Sequence, residues 1–204
     1  MKQVEKSHYQ FQNYMGKGRW NSVWHQLDEV ISLAPQNVLE IGPGPGLFKA
    51  LALQFGVQVK TLDFDPELSP DYIGSATSIP LPDSSFDVVC AFQMLEHLPY
   101  ADSLQAFREM VRVSRKHVII SLPDASTAWR YQFHVPKIGT YDALVSRPTF
   151  KKAIHKFEGE HYWEINKQGY ELKKITDDLS QLCPLIKTYR VRENPYHRFF
   201  VFAR

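Results

Sequence analysis

A doubly wound α/β sheet is the fold this sequence predicts, and three observations predict it. Val38-Leu39-Glu40-Ile41 reads as an apolar strand running straight into the glycine turn Gly42-Pro43-Gly44-Pro45-Gly46, with a helical pattern immediately beyond. Apolar, strand-like runs recur at 57–63, 86–92 and 117–122. Helix-period segments lie between them, and strand-helix-strand alternation builds parallel crossovers.

Each element has its own signal. Trp20, Val23, Trp24, Leu27, Val30, Ile31 and Ala34 recur at helical spacing, with Asn21 or Ser22 as the cap and Pro35 just beyond the end. A second helix is expected over 46–54, closed by Gly56. A third is expected over 102–114, with Asp102 and Gln105 in capping-box positions. Asn166 is placed to cap a closing helix carrying Leu172, Ile175, Leu179 and Leu182. Runs 185–192 and 196–203, joined by Glu193-Asn194-Pro195, predict a C-terminal antiparallel hairpin.

Residues 123–165 lack clean periodicity but hold Trp129, Tyr131, Phe133, Tyr141, Phe150, Phe157, Tyr162 and Trp163. The segment follows a strand's C-terminal end, where open α/β sheets place their ligands, and is expected to be an aromatic cap over a pocket. The chain thus divides into a helical segment (1–36), a cofactor-binding core (37–122), the cap (123–165) and a closing helix with its hairpin (166–204), all in one domain.

With 204 residues, such a domain buries on the order of 70% of its unfolded surface. Only two cysteines occur, Cys90 in a strand-like run and Cys183 after a helical pattern, so no disulfide framework is expected and a reducing cytoplasm fits. The first residues lack a signal-peptide core, and no run of about 18 apolar residues occurs, so no membrane partner is expected. A net charge of +2 is too small to mark a nucleic-acid binder.

The glycine turn limits which cofactor it can cradle. Gly42 and Gly44 fit the first two glycines of a dinucleotide fingerprint, but Leu47 stands where the third belongs. Pro43 and Pro45 have no N–H to offer a pyrophosphate. A nucleoside cofactor without phosphate suits the loop better. Asp63, ending the next strand, is spaced to accept from both ribose hydroxyls, bonds worth roughly 1.5–3 kcal/mol each.

Four motifs in order carry a family resemblance: the glycine turn, Leu62-Asp63-Phe64-Asp65-Pro66, Ile79-Pro80-Leu81-Pro82-Asp83-Ser84-Ser85-Phe86-Asp87-Val88-Val89, and Leu95-Glu96-His97-Leu98. Across roughly 37–122 the chain resembles a class I S-adenosylmethionine-dependent methyltransferase, most closely the type 11 group. The resemblance implies a Rossmann-like sheet and S-adenosyl-L-methionine as cofactor. It puts Glu40, Gly42, Gly44 and Gly46 along the methionine moiety, Phe64 on the adenine face and Gln93 near the sulfonium. Ser75 stands where the family often has an acid; it can hydrogen-bond but brings no charge, and Ala76 and Thr77 become backbone-level adenine contacts.

Methyl transfer is an in-line displacement, so the enzyme mainly aligns the reactants and excludes water. A base helps when the acceptor must lose a proton. Glu96 and His97 are the candidates after the fourth strand, and His161 with Tyr162 the candidates in the cap, where Glu160 is the acid expected to hold the imidazole. Glu96 and His97 alone do not satisfy a metal, and no other His, Cys or carboxylate spacing completes a set, so none is expected.

The expected acceptor is a small or medium-sized molecule, methylated at oxygen or nitrogen. Lys187, Arg190, Arg192 and Arg198 near Tyr189 and Tyr196 keep RNA as a less favoured acceptor, with a solvated strand face as the ordinary explanation. Tyr14, Lys17, Arg19 and Trp20 precede the first helix and are equally suited to closing over a ligand or to packing. A non-catalytic nucleotide-binding module of the same fold is the remaining alternative.

Overall fold

A computed structural model describes residues 10–148 and 152–204. Its centre is a seven-stranded sheet in the order β3-β2-β1-β4-β5-β9-β8. β1 (Val38–Ile41), β2 (Val59–Asp63), β3 (Tyr72–Ile73), β4 (Phe86–Phe92) and β5 (Ser114–Pro123) run parallel. β9 (His197–Ala203) is antiparallel to both neighbours, β5 and β8 (Leu185–Arg190). β4 is a nearly continuous apolar run because helices cover both faces.

On one face α4 (Tyr100–Val113) and α5 (Leu172–Ser180) bury Phe107, Met110, Ile175 and Leu179 against Leu39, Val89, Ile120 and Phe200. On the other, α2 (Lys17–Ile31) and α3 (Leu47–Gln54) bury Val30, Phe48 and Ala52 against Val38, Val88, Ile119 and Phe199. A single turn, α1 (Phe11–Tyr14), precedes α2.

Helix starts differ from the sequence expectation, and none of these helices has a side-chain cap. α2 begins at Lys17 after Gly16, so Arg19 and Trp20 are helical; Ser22 is no cap but donates its hydroxyl to Gly18 O inside the helix. Trp20 and Trp24, expected on the buried face, are 48% and 58% exposed. α4 starts at Tyr100 behind Pro99, which leaves Asp102 in the first turn and forms no capping box. α5 starts at Leu172 behind Glu171; Asn166 instead adopts φ 68° and donates to Asp124 at 2.9 Å.

The insertion after β5 is pinned at both ends. Ala125 N donates to Ile165 O, and Ile165 N to Pro123 O, at 2.9 and 3.0 Å. Buried Asp124 accepts from Ser126, Asn166 and Arg198; burial pushes its carboxyl up, but these bonds hold it below the ordinary range. Between the pins, β6 (Ala128–Val135) and β7 (Gly139–Ser146) form a separate antiparallel hairpin that the sequence reading missed. Arg130 on one face is gripped by Asp142 at 2.8 and 2.9 Å and by Glu193. The opposite face presents Trp129, Tyr131, Phe133 and Tyr141, each about half exposed. Trp163, expected in the cap, is 2% exposed and belongs to the core; its Nε1 donates to Leu98 O and Ser103 Oγ. Phe150 lies outside the described residues.

Candidate active site

Strand order reverses between β1 and β4, and open α/β sheets bind ligands in the crevice at that point, beyond the strands' C-terminal ends. The glycine turn after β1 forms one lip. Gly42, Gly44 and Gly46 have φ of 66°, 53° and 73°, a region closed to most side chains. The turn is tied down by Gly42 N to Leu62 O and Gly46 N to Pro43 O, and Gly46 opens α3.

Glu40 lies beneath the turn. It is 4% exposed, its Oε2 has no hydrogen-bond partner, and burial pushes its carboxyl up to about 8, against the pull of Lys49. A buried polar atom without a partner is costly. Tyr14 is coupled to the same place: burial raises its phenol, and both Arg19 and Glu40 act on it electrostatically. Arg19 stacks over the Tyr14 ring at 4.2 Å.

Asp63 ends β2 and is 8% exposed; burial raises its pKa, while backbone donors from Asp65 and Phe64 oppose the rise. Asp65 has a separate task, accepting from Glu67 N at 3.0 Å to start the short 3-10 turn Pro66–Leu68. Phe64 is 56% exposed beside it. Gly74 N donates to Asp63 O at 2.9 Å, which docks the 74–77 loop on the same strand end. In that loop Ser75 Oγ lies 2.8 Å from Thr77 Oγ1 and accepts from Thr77 N. Gln93 takes φ 53° after β4 and is held twice by Ser121, through its backbone N and through Nε2. Glu40, the three glycines, Asp63, Phe64, Ser75, Ala76, Thr77 and Gln93 therefore all lie at the C-terminal ends of β1, β2, β3 and β4.

Beyond Gln93, a 3-10 turn over Leu95–His97 positions the acid/base candidates. Glu96 is fully buried, and burial, reinforced by Glu164, pushes its carboxyl up to about 8. Tyr162 N donates to Glu96 O at 2.8 Å, and Glu160 O accepts from His97 Nδ1 at 3.1 Å, bringing the end of the insertion onto this turn. The rings of His97 and His161 meet edge to face, 4.9 Å apart.

Two expectations change here. The acid that orients His161 is Glu164, at 3.0 Å, while Glu160 contributes only its carbonyl, to His97. The Tyr162 ring does not join the cluster but stacks on Phe157, 4.4 Å away. Glu164, which the sequence reading passed over, also accepts from Tyr196 OH at 2.6 Å. His197, likewise unremarked, is buried with Nδ1 unpartnered, and its pKa is depressed by burial to about 3.

The basic residues of the final hairpin are largely matched by acids. Arg198 binds Asp124 at 2.9 Å, Arg190 is 8% exposed and 3.7 Å from the same carboxylate, and Lys187 pairs with Glu29 at 2.9 Å. A cavity of about 560 Å³ opens beside this hairpin, between Trp24 and His25 of α2, Asp142 of β7, and Tyr189, Arg190, Arg192 and Glu193. Among the described residues of the aromatic insertion, only Asp142 lines it.

The sheet and its crevice have a Rossmann-like architecture. Residues 39–122 match the family model described as a methyltransferase domain. An uncharacterized methyltransferase of Mycobacterium sp. (strain JLS) is 33% identical over 90 residues, which cover 39% of this chain and 35% of that relative. The chain thus spans about a third of the curated relative's length. The crystal structure of PH0226 from Pyrococcus horikoshii OT3 superposes with a TM-score of 0.62 at 15% identity, covering 98% and 99% of the two chains. The Burkholderia thailandensis 1,6-didemethyltoxoflavin-N1-methyltransferase, solved with its acceptor and S-adenosylhomocysteine, gives 0.58 at 12% identity, covering 98% and 86%. Among the described residues, no helix is long and apolar enough to cross a membrane.

Proposed function

We propose that the protein transfers the methyl group of S-adenosyl-L-methionine to an oxygen or nitrogen of a small or medium-sized acceptor. The observation that carries this reading is the pairing of the left-handed glycine turn with the nearly buried Asp63 on the next strand. The turn brings backbone close to a ligand while two prolines withhold the donors a pyrophosphate needs. A relative of the same fold holds S-adenosylhomocysteine, which supports the cofactor.

The cofactor supplies an electrophilic methyl on a sulfonium. The chain's own residues do the rest. Glu40, otherwise unsatisfied, accepts from the methionine ammonium; Asp63 accepts from the ribose hydroxyls; Phe64 and the 74–77 loop cover the adenine. Gln93, fixed by Ser121, positions the sulfonium end beside Glu96 and His97. Alignment and exclusion of water then lower the barrier. The matching of Arg190, Arg198 and Lys187 by acids favours a small molecule over RNA.

The test is thermal shift and titration calorimetry with S-adenosylhomocysteine and NAD. S-adenosylhomocysteine should raise Tm by mass action, NAD should not, and Asp63→Ala should weaken the homocysteine compound roughly 10- to 100-fold. A saturable NAD shift with no S-adenosylhomocysteine shift overturns the proposal.

A further inference from the structure

We propose that Glu96, His97 and His161 form a binding site for a divalent transition-metal cation, which holds the acceptor through an oxygen atom. Each of the three side chains offers a ligand atom, and these atoms lie within 4.8 Å of one another. Ligand atoms on one tetrahedral ion sit about 3.4 Å apart, so the cluster closes on a cation with side-chain movements of an ångström or so.

An independent observation points to a ligand here. Glu96 is fully buried, yet neither carboxylate oxygen has a hydrogen-bond partner. A buried carboxylate in that condition is strongly penalised unless something arrives to pair with it.

The surroundings of both imidazoles prepare the same outcome. His97 Nδ1 faces the carbonyl of Glu160 at 3.1 Å, and a carbonyl only accepts, so Nδ1 carries the proton and Nε2 the lone pair. His161 Nδ1 faces the Glu164 carboxylate at 3.0 Å, with the same consequence. A histidine whose far nitrogen donates to a carboxylate or carbonyl is the ordinary arrangement around a bound metal. Glu164 is itself steadied by Tyr196 OH at 2.6 Å.

Two imidazoles and one carboxylate suit zinc, cobalt, manganese or iron better than magnesium or calcium, which prefer oxygen throughout. Three protein ligands also leave coordination positions open. The inference rests on the methyl-transfer reading for what fills them: an acceptor oxygen, whose hydroxyl pKa the cation lowers. The O–H proton leaves to solvent, the new O–C bond forms as the C–S bond breaks, and S-adenosylhomocysteine departs. The acceptor is then a hydroxyl compound rather than an amine.

The experiment titrates the full chain with Co²⁺, followed by visible absorption and calorimetry, and in parallel with S-adenosylhomocysteine. One equivalent of Co²⁺ is expected to bind. Glu96→Gln, His97→Ala and His161→Ala should each weaken Co²⁺ at least about 10-fold, and Glu164→Gln about 10- to 100-fold by freeing the His161 ring. Because Glu96 is buried, the half-buried His97 and His161 variants are the ones expected to keep the fold, with S-adenosylhomocysteine affinity unchanged. Absence of Co²⁺ binding, or equal binding by the His97→Ala/His161→Ala double variant, overturns the metal site and leaves the methyltransferase reading standing. Co²⁺ binding without S-adenosylhomocysteine binding does the reverse, and removes the acceptor role given to the ion.

Discussion

A Cβ placed on Gly42 would run into Cγ of Met94, so the turn after β1 and the loop after β4 meet at a point where only glycine fits. The two loops that would flank the cofactor are thus in contact before any ligand arrives. Gly46, four residues on, has a similar backbone conformation but nothing within 4 Å of its missing Cβ.

The pair makes a controlled comparison. Gly46→Ala carries only the left-handed backbone penalty, about 1–2 kcal/mol. Gly42→Ala carries that penalty and displaces Met94, so it should lower Tm further and weaken S-adenosylhomocysteine at least about 10-fold. Melting curves and calorimetry on both variants check this; equal losses would show that the Met94 contact is immaterial.

The raised pKa of Glu40 gives a pH dependence of defined sign. In the free protein the carboxyl stays protonated until about pH 8, above its ordinary 4.5. Holding a ligand ammonium requires it ionised, so S-adenosylhomocysteine binding should release a proton between those values, and affinity should climb with pH up to about 8. The stability of the free protein moves the other way: the folded state binds the extra proton, so Glu40's contribution is lost as pH rises through the same window. His197, depressed from 6.5 to about 3, stabilises above 6.5 and loses that contribution as pH falls. The difference between wild type and Glu40→Gln separates the two. Calorimetry in buffers of different ionisation enthalpy counts the proton, and its persistence in Glu40→Gln would rule out Glu40 as its source.

Trp163 and Tyr162 are neighbours with opposite expectations. Trp163→Ala removes a fully packed indole with two hydrogen bonds and should cost about 3–5 kcal/mol. Tyr162→Ala loses only a half-exposed stacking contact with Phe157 and should cost under about 1 kcal/mol. Urea denaturation distinguishes them, and a large loss in Tyr162→Ala would mean that its ring is structural.

β4 was legible to the residue because it is a nearly continuous apolar run. Helix starts were not, since Gly16, Pro99 and Glu171 precede them without side-chain caps while better capping residues sit nearby. The β6–β7 hairpin did leave a signal: Trp129-Arg130-Tyr131-Gln132-Phe133-His134 alternates strictly. Eight aromatics read as one cap obscured it, though Trp163 belongs to the core and Phe133 stands half exposed. That Glu40, the three glycines, Asp63 and Gln93 gather at the strand ends followed from motif spacing. His161 and Glu164 joined Glu96 and His97 only through backbone bonds from 160 and 162, which no local pattern encodes.

β9 lies between β5 and β8, so the middle of one half of the sheet is filled by residues that leave the ribosome after everything else in it. Until 197–203 have emerged, β5 offers an open row of unpaired N–H and C=O groups to any passing strand, and β8 has nothing to pair with. Synthesis of this protein therefore passes through a stage at which its cofactor-binding half can be nearly complete and yet sticky. A stop or cleavage just ahead of His197 would strand the chain in that state, making the last strand a determinant of soluble yield although it carries none of the residues placed on the cofactor.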